Sequence, residues 1–229
     1  MKVDSIWRYP VKSMAGERLS RADIDISGVP GDRMLQVHDR QGRMVTARRY
    51  PRLLQLHATL GLDGEPLVDG LPWTSPEVSR RVEAAVAPGA TLQAFDGPER
   101  FDILPLLVCT DGAVALFGRD VRRLRPNLVI NGVAGAGERE WEGAHLRIGE
   151  LLIGLTDLRG RCVMTTVDPD TGGQDPSVLR DIVRRFGGRL CLNALVTSPG
   201  TVAEGDDVEL VHPRTSAATR QLARRPTTS

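Results

Sequence analysis

The sequence predicts a mainly β fold of the α+β class with a few short helices. Short apolar segments of strand length alternate with turns rich in Gly, Pro and Asp along most of the chain. Residues 176–186 form the clearest amphipathic helix pattern. With 229 residues and 41% hydrophobic content, the chain can bury a sizeable core. These observations favour a closed or sandwiched sheet that carries few helices.

Alternation and turn chemistry place the strands of the N-terminal part. Residues 34–38 and 44–47 flank the loop 39–43, so they are predicted to pair as a hairpin. Residues 53–60 alternate apolar and polar side chains, which predicts a strand with one buried face. Dense Gly, Pro and Asp in residues 61–97 indicate excursions between short elements.

The predicted helices belong to the C-terminal part. Asp175 can cap a helix that begins at Pro176, Gly187 suits a left-handed exit, and Val183 belongs to the apolar stripe. A second helix is predicted within residues 111–124. The predicted strands of this part are residues 127–130, 145–148, 151–155, 190–196 and 208–211.

We place a soft division near residue 100, which separates residues 1–100 from residues 101–213. Residues 214–229 contain almost no large apolar side chains and are predicted to form a disordered tail. A formal net charge of +1 gives no global field toward nucleic acid or membranes. We find no apolar run of membrane-spanning length and no signal-peptide pattern, so we expect a cytoplasmic protein.

Several function classes lack their sequence signals. We find no phosphate loop, dinucleotide fingerprint, Ser-His-Asp pattern or basic stripe with interleaved aromatic residues. Cys109, Cys162 and Cys191 are widely spaced, which predicts neither a disulfide framework nor an all-cysteine metal site. Cys109 and Cys191 lie in apolar runs and are interpreted as core residues.

Cys162 has a different setting, because it lies near two arginines and before a Thr-Thr pair and an Asp-Pro-Asp-Thr-Gly turn. Guanidinium groups favour the thiolate, which attacks electrophiles and binds soft metals. The alternative is an inert, half-buried cysteine beside solvated arginines.

Basic residues recur next to strand ends and turns. Guanidinium forks with hydroxyl and amide donors suit an anionic ligand such as a phosphate ester, although each arginine taken alone reads as an ordinary solvated charge. The members of this set are Lys12 with Ser13, Arg33, Arg48 with Arg49, Arg125 before Asn127, and Arg161.

The same segments carry a family resemblance. Residues 9–17, 28–33 and 42–53 resemble the N-terminal β-barrel module of the MOSC family. Residues 125–130, 138–141, 161–172 and 199–206 resemble the MOSC domain itself, which occurs in molybdenum cofactor sulfurases and in the mitochondrial amidoxime-reducing component. The resemblance therefore implies a MOSC-type β-barrel packed with an N-terminal barrel-like module, divided near residue 100.

The resemblance also implies a molybdenum cofactor (Mo-molybdopterin) and a reductase of N-hydroxylated or N-oxide substrates. Cys162 would be the thiolate ligand of molybdenum and the catalytic residue. Electrons would come from a separate protein of the ferredoxin or flavoprotein reductase type. Pyridoxal phosphate binding is a secondary expectation. The residues implied to hold the cofactor are Lys12, Ser13, Arg33, Arg48, Thr110, Arg125, Asn127 and Arg161.

Gly160 departs from the pattern, because reductase-like members often carry serine there. Gly160 favours one alternative, a sulfur or cofactor carrier with a Cys162 persulfide. Two further alternatives stay open: a cofactor-free barrel that binds a small anion or a protein, and a redox sensor. The redox sensor would explain Cys162 but not the basic set.

Overall fold

A computed structural model describes residues 1–212, and the predicted disordered tail lies outside the described residues. The mainly β, α+β prediction is confirmed: strands dominate, and the α-helices are few and short. No helix within residues 1–212 combines the length and the apolar character needed to cross a membrane.

Short strands follow one another along residues 1–212, with helices between some of them. The strands are β1 (Lys2–Arg8), β2 (Glu17–Leu19), β3 (Arg21–Ile24), β4 (Leu35–His38), β5 (Met44–Val45), β6 (Ala58–Leu60), β7 (Pro66–Val68), β8 (Leu71–Pro72), β9 (Thr91–Ala94), β10 (Leu106–Thr110), β11 (Leu128–Asn131), β12 (His145–Ile148), β13 (Leu151–Gly160), β14 (Arg189–Ser198), β15 (Gly200–Ala203) and β16 (Glu209–Val211). The α-helices are α1 (Pro76–Ala85), α2 (Asp111–Phe117) and α3 (Pro176–Phe186). The 3₁₀ helices are Pro51–Gln55, Pro98–Arg100, Val121–Arg123, Gly137–Glu140 and Val163–Thr166.

An eight-stranded sheet in the order β16-β12-β13-β14-β10-β11-β1-β2 forms the centre of the molecule. The β10–β11 pair is parallel, and the other neighbouring pairs are antiparallel. Backbone hydrogen bonds of 2.9 Å from Val3 N to Asp206 O and from Val208 N to Met1 O connect the start of β1 to the residues just before β16. The sheet therefore closes into a barrel, which leaves few unpaired strand edges.

Alternation along β10 shows how the sheet separates two cores. Leu106 and Val108 point into the barrel core, whereas Leu107 and Cys109 pack on the opposite face. Because successive strand residues face opposite sides of a sheet, the apolar side chains on the outer face of the barrel must be buried by other elements. Helices α2 and α3 cover this face with buried side chains such as Phe117 and Ile182.

A third core lies in the N-terminal part. The sheets β5-β4-β9 and β6-β7-β8 pack there with α1, which buries Val78 and Val82. The predicted hairpin is confirmed, since Val37 pairs with Val45 across β4 and β5. Strands β1 and β2 belong to the central sheet. The soft division near residue 100 stays a prediction.

Helix α3 confirms the predicted bounds and caps. The Asp175 carboxylate accepts a hydrogen bond from Ser177 N at 2.9 Å, and Gly187 has a left-handed φ of 63°. The predicted apolar stripe was wrong at Val183, which is 57% exposed, because the buried face runs through Val178 and Ile182.

Two local predictions need correction. Helix α2 ends at Phe117, since Gly118 takes the left-handed conformation that terminates it. Residues 53–60 are not one strand, because the 3₁₀ helix Pro51–Gln55 precedes β6. The stretch 61–97 has the predicted short elements between turns, and one of them is α1, which begins with the Ser75 side chain accepting from Val78 N.

The cysteine prediction is also corrected. Cys109 and Cys191 form a disulfide and are fully buried, which confirms only their placement in the core. Their Cα atoms lie 4.5 Å apart although 82 residues separate them in sequence. The antiparallel pairing of β10 with β14 creates this contact, and no local spacing could reveal it.

Glu138 is a fully buried carboxyl whose burial raises its pKa above the ordinary value of 4.5. Oε2 accepts a 3.0 Å hydrogen bond from Thr110, whereas Oε1 has no protein partner. The folded state binds this proton more tightly than the unfolded state, so the contribution of Glu138 to stability is fully present below pH 4.5 and is lost as pH rises through the folded pKa.

Glu138→Gln is therefore expected to stabilise the protein by about 1 kcal/mol at pH 8. The gain should shrink toward pH 4, because the wild-type carboxyl is then neutral. Urea unfolding at both pH values measures the difference. An equal effect at the two pH values would show that the side chain does not titrate as argued.

Candidate cofactor and active site

A cavity of about 200 Å³ lies beside Cys162, at the end of β13. It brings together six of the predicted site residues: Arg33, Arg48, Arg125, Asn127, Arg161 and Cys162. Three further charged residues line it, namely Asp102, Arg123 and Arg159. Two of its six arginines are paired outside the lining, Arg33 with Asp32 and Arg123 with Asp168. The other four guanidinium groups are accompanied by the single carboxylate of Asp102, so the cavity suits an anionic ligand.

Cys162 provides a free thiol on a well-held backbone. Its carbonyl oxygen accepts hydrogen bonds from Thr165 N at 3.0 Å and from Thr165 Oγ1 at 2.8 Å. The side chain is half-buried and lies outside the disulfide. The preceding residue is bonded to the segment just before β14, because Arg161 N donates to Gly188 O at 2.9 Å. The thiol can therefore serve as a ligand with little backbone freedom.

Arg125 and Arg161 are the most desolvated cations of the cavity. Burial lowers the pKa of each guanidinium to about 10. Arg125 donates to Met14 O at 2.6 Å and lies 4.2 Å from the centre of the Tyr9 ring. Arg161 donates to Leu124 O at 2.6 Å, but its buried Nε has no protein partner. That unpaired donor is the clearest local sign of a missing acceptor.

Asp32 organises the wall next to these arginines. Its side chain is fully buried, forms an ion pair with Arg33 and accepts from Tyr9 N at 2.7 Å. Asn127 donates to the same carboxylate at 3.2 Å, while its Oδ1 accepts from Leu107 N at 3.1 Å. The Asn127 amide is therefore engaged with the protein, and its contribution is to hold the wall in place.

Three site residues adopt a left-handed backbone although none is glycine. The φ angles are 72° at Ser13, 55° at Arg33 and 55° at Arg125. This conformation costs free energy in residues other than glycine. It is concentrated at functional sites, where the surrounding structure maintains it. Ser13 is buried next to Lys12 but does not line the cavity.

Lys12 approaches the cavity from the N-terminal part. Its ammonium donates to Glu99 O at 3.1 Å and to Arg100 O at 3.0 Å, and it lies 3.5 Å from Asp102 Oδ1. Burial lowers the pKa of Lys12, and the carboxylate of Asp102 partly offsets that effect. These contacts attach the connector between β9 and β10 to the cavity.

Asp102 is the central counter-charge of the cluster. Burial tends to raise its pKa, but Lys12, Arg48 and Arg33 together hold that pKa below the ordinary value. The Arg48 and Arg159 guanidinium groups lie 3.7 Å and 3.9 Å from Oδ2. Three cations share this one carboxylate at 3.5–3.9 Å, so the cluster keeps excess positive charge.

Thr110 lies away from the other predicted site residues. Its hydroxyl accepts from Ala113 N at 3.2 Å as the N-cap of α2 and donates to Glu138. It does not line the cavity. This hydroxyl is committed to the helix cap and the buried carboxyl.

Sequence reasoning missed Asp102 and Arg123 as cavity residues, and it noted Arg159 as a cation near Cys162 without predicting it as a site residue. Arg159 had a usable signal, because it lies only three residues before Cys162 in the segment that the sequence singled out. Asp102 and Arg123 had none, since their approach to Cys162 depends on how distant segments pack.

A second cavity of about 560 Å³ adjoins the first. Its walls include Trp7, Tyr9 and Leu54. Arg123, Arg125 and Met164 line both cavities and so form the partition between them.

Comparison with known families matches both parts of the chain. Residues 1–94 match the MOSC N-terminal β-barrel domain, and residues 114–209 match the MOSC domain. The solved YUAD protein from Bacillus subtilis has a similar fold, with a TM-score of 0.51 and 14% sequence identity, over 93% of this chain and 96% of that one.

Curated relatives include mitochondrial amidoxime-reducing component 1 of Mus musculus, 28% identical over 91% of this chain and 82% of the relative. The Homo sapiens component 1 is 26% identical with the same coverage. Molybdenum cofactor sulfurase 2 of Culex quinquefasciatus is 33% identical over 40% of this chain and 12% of the relative. Because the two domain matches cover most of the chain in the right order, the protein belongs to the MOSC family.

Proposed function

We propose that this protein is a molybdenum-cofactor-dependent oxidoreductase that reduces N-hydroxylated or N-oxide substrates. The observation that carries the proposal is the free thiol of Cys162 at the wall of an arginine-lined cavity. Relatives named amidoxime-reducing components support the substrate class. The overall reaction converts an N–OH group, two electrons and two protons into an N–H group and water.

The residues present fit a cofactor that carries a phosphate and a soft metal. Guanidinium forks bind phosphate oxygens, and the unpaired Arg161 Nε offers a buried donor. A thiolate is the protein ligand that a soft metal prefers. When bound, the cofactor would supply the two-electron chemistry, with Cys162 on the metal and Arg33, Arg125 and Arg161 around the phosphate and pterin.

The protein's own groups would bind and orient the cofactor. The Asp32 network fixes the wall that presents Arg33, and the left-handed backbone at Arg125 directs its guanidinium into the interior. Preorganised cations of this kind bind an anion without rearranging at the moment of binding. Electrons would come from a separate donor protein of the ferredoxin or flavoprotein reductase type.

Pyridoxal phosphate, the secondary expectation, gains no support from the site. Enzymes that use pyridoxal phosphate bind it through a Schiff base with a lysine. The Lys12 ammonium is held by two carbonyl oxygens and Asp102, and Lys2 pairs with Asp207 at an exposed edge.

Gly160 favours a second candidate function, a sulfur or cofactor carrier that uses a Cys162 persulfide. The residue lines the cavity without a side chain, so the hydroxyl of the family pattern is missing there. A cyanide-labile sulfur on Cys162, together with no reductase activity under an artificial donor, would select this function.

The test of the proposed function uses protein expressed in a host that makes the molybdenum cofactor. We expect stoichiometric molybdenum, pterin fluorescence after oxidation, and reduction of an aryl amidoxime with reduced methyl viologen as donor. Protein that lacks both molybdenum and pterin under these conditions would overturn the proposal.

Gly160→Ser is expected to increase cofactor retention. A Cβ at this position meets no atom within 4 Å, so serine fits and adds a hydroxyl to the cavity. One added hydrogen bond of about 1 kcal/mol corresponds to roughly fivefold tighter binding. The measurement is molybdenum per chain after extended dialysis, with Gly160→Ala as the matched control. Equal retention in both variants would contradict the expected hydroxyl contact.

A further inference from the structure

Arg123 contacts the segment that follows Cys162. Its guanidinium donates to Thr165 O at 3.3 Å, to Thr166 O at 3.0 Å and to Asp168 Oδ2 at 2.7 Å. The side chain is only 8% exposed, so these bonds are shielded from water. Thr165 is in turn bonded to the Cys162 carbonyl. One planar cation therefore holds the turn that carries the thiol.

Asp168 connects this contact to the rest of the turn. Its Oδ1 accepts from Asp170 N at 3.1 Å and from Thr171 N at 2.9 Å, which leaves Oδ2 for Arg123. The neighbouring Arg122 pairs with both carboxylate oxygens of Asp170 at 2.9 Å. The two carboxylates of the Asp-Pro-Asp turn thus meet two consecutive arginines.

A third bond connects the same two segments from the other side. Arg161 donates to Leu124 O at 2.6 Å, one residue before Arg125. Residues 122–125 and 161–170 are consequently joined on both sides of Cys162. The first segment presents the buried Arg125, and the second presents the thiol. The distance between cation and thiol depends on these bonds.

We propose that Arg123 is a positioning residue that fixes Cys162 relative to Arg125. Accepting the proposed function, it would set how the thiolate meets the metal while Arg125 holds the anionic part of the cofactor. Arg123 needs no contact with the ligand for this role, because Nη1 and Nη2 already bond the turn. A lysine has a single nitrogen, so it cannot reproduce the two-nitrogen fork with which Arg123 reaches the Thr165 and Thr166 carbonyls and Asp168.

The first test measures alkylation of Cys162 by iodoacetamide in full-length, cofactor-free protein. Cys162 is the thiol that reacts, since the other two cysteines form the disulfide. Arg123→Gln is expected to raise the rate about tenfold through local opening of the turn. Arg123→Lys should lie between wild type and Arg123→Gln. Asp168→Asn should speed alkylation as well, and the double variant should add little.

Lys2→Gln is the matched control. Lys2 also bonds one carboxylate and one backbone carbonyl, those of Asp207 and Gly205, and it lines neither of the two cavities. Its loss is expected to leave the alkylation rate unchanged. A rate for Arg123→Gln that matches the control, or that rises only with global unfolding, would overturn the proposal.

The second test measures molybdenum per chain in wild type and Arg123→Gln from the cofactor-competent host. We expect a several-fold loss of molybdenum retention in Arg123→Gln protein that remains folded. Wild type without molybdenum would defeat the proposed function, whereas the alkylation result would still decide the role of Arg123.

Discussion

Replacing Cys162 with serine is expected to lower amidoxime reduction by more than about 100-fold, since loss of partners behind a metal ligand alone costs about 10–100-fold. Serine matches cysteine in shape but offers a hard oxygen that is not deprotonated near neutral pH. At this position the backbone carbonyl of Cys162, and not its side chain, accepts the hydrogen bond from Thr165, so this bond should survive the substitution. Molybdenum per chain and the rate with reduced methyl viologen measure the effect.

Cys162→Ala serves as the companion variant, because it removes any ligand atom. Both variants should melt at the wild-type temperature, since the half-buried thiol makes no disulfide. Retained molybdenum together with retained activity in both variants would exclude Cys162 as the metal ligand. Retained molybdenum with lost activity would indicate that the thiol takes part in the reaction and that the cations of the cavity are sufficient to bind the cofactor.

Among the variants described, the Cys109→Ala, Cys191→Ala double variant is expected to lose the most free energy of unfolding relative to wild type. The disulfide spans 82 residues in sequence, and chain entropy then predicts a loss of up to about 4.5 kcal/mol. The closed loop contains the whole segment from α2 to α3, including Cys162. Guanidinium unfolding of wild type and of the double variant measures the difference.

A reductant supplies the control for this result. Thiol reagent in denaturant should detect one thiol in unreduced wild type, because Cys162 alone is free. Reduction should then destabilise wild type and leave the double variant unchanged. Three reactive thiols in unreduced protein would show that the strands β10 and β14 are not cross-linked.

Local chemistry determined a large part of this protein. The bounds of α3 follow from Asp175, Pro176 and Gly187, and the hairpin of β4 and β5 follows from its loop. Such elements are predictable because their caps and turns are contacts between residues close in sequence. Four of the six arginines that line the Cys162 cavity were also predicted, since a thiolate and an anionic ligand require recognisable residue types.

Only the tertiary structure decided how distant segments meet. The disulfide arises because β10 and β14 are neighbours in the sheet, and Asp102 enters the cavity from the connector before β10. Thr110 faces Glu138 and not the cavity. Arg123 reaches the Cys162 turn from a separate 3₁₀ helix. Each outcome depends on long-range packing, for which residue type and spacing along the chain contain no signal.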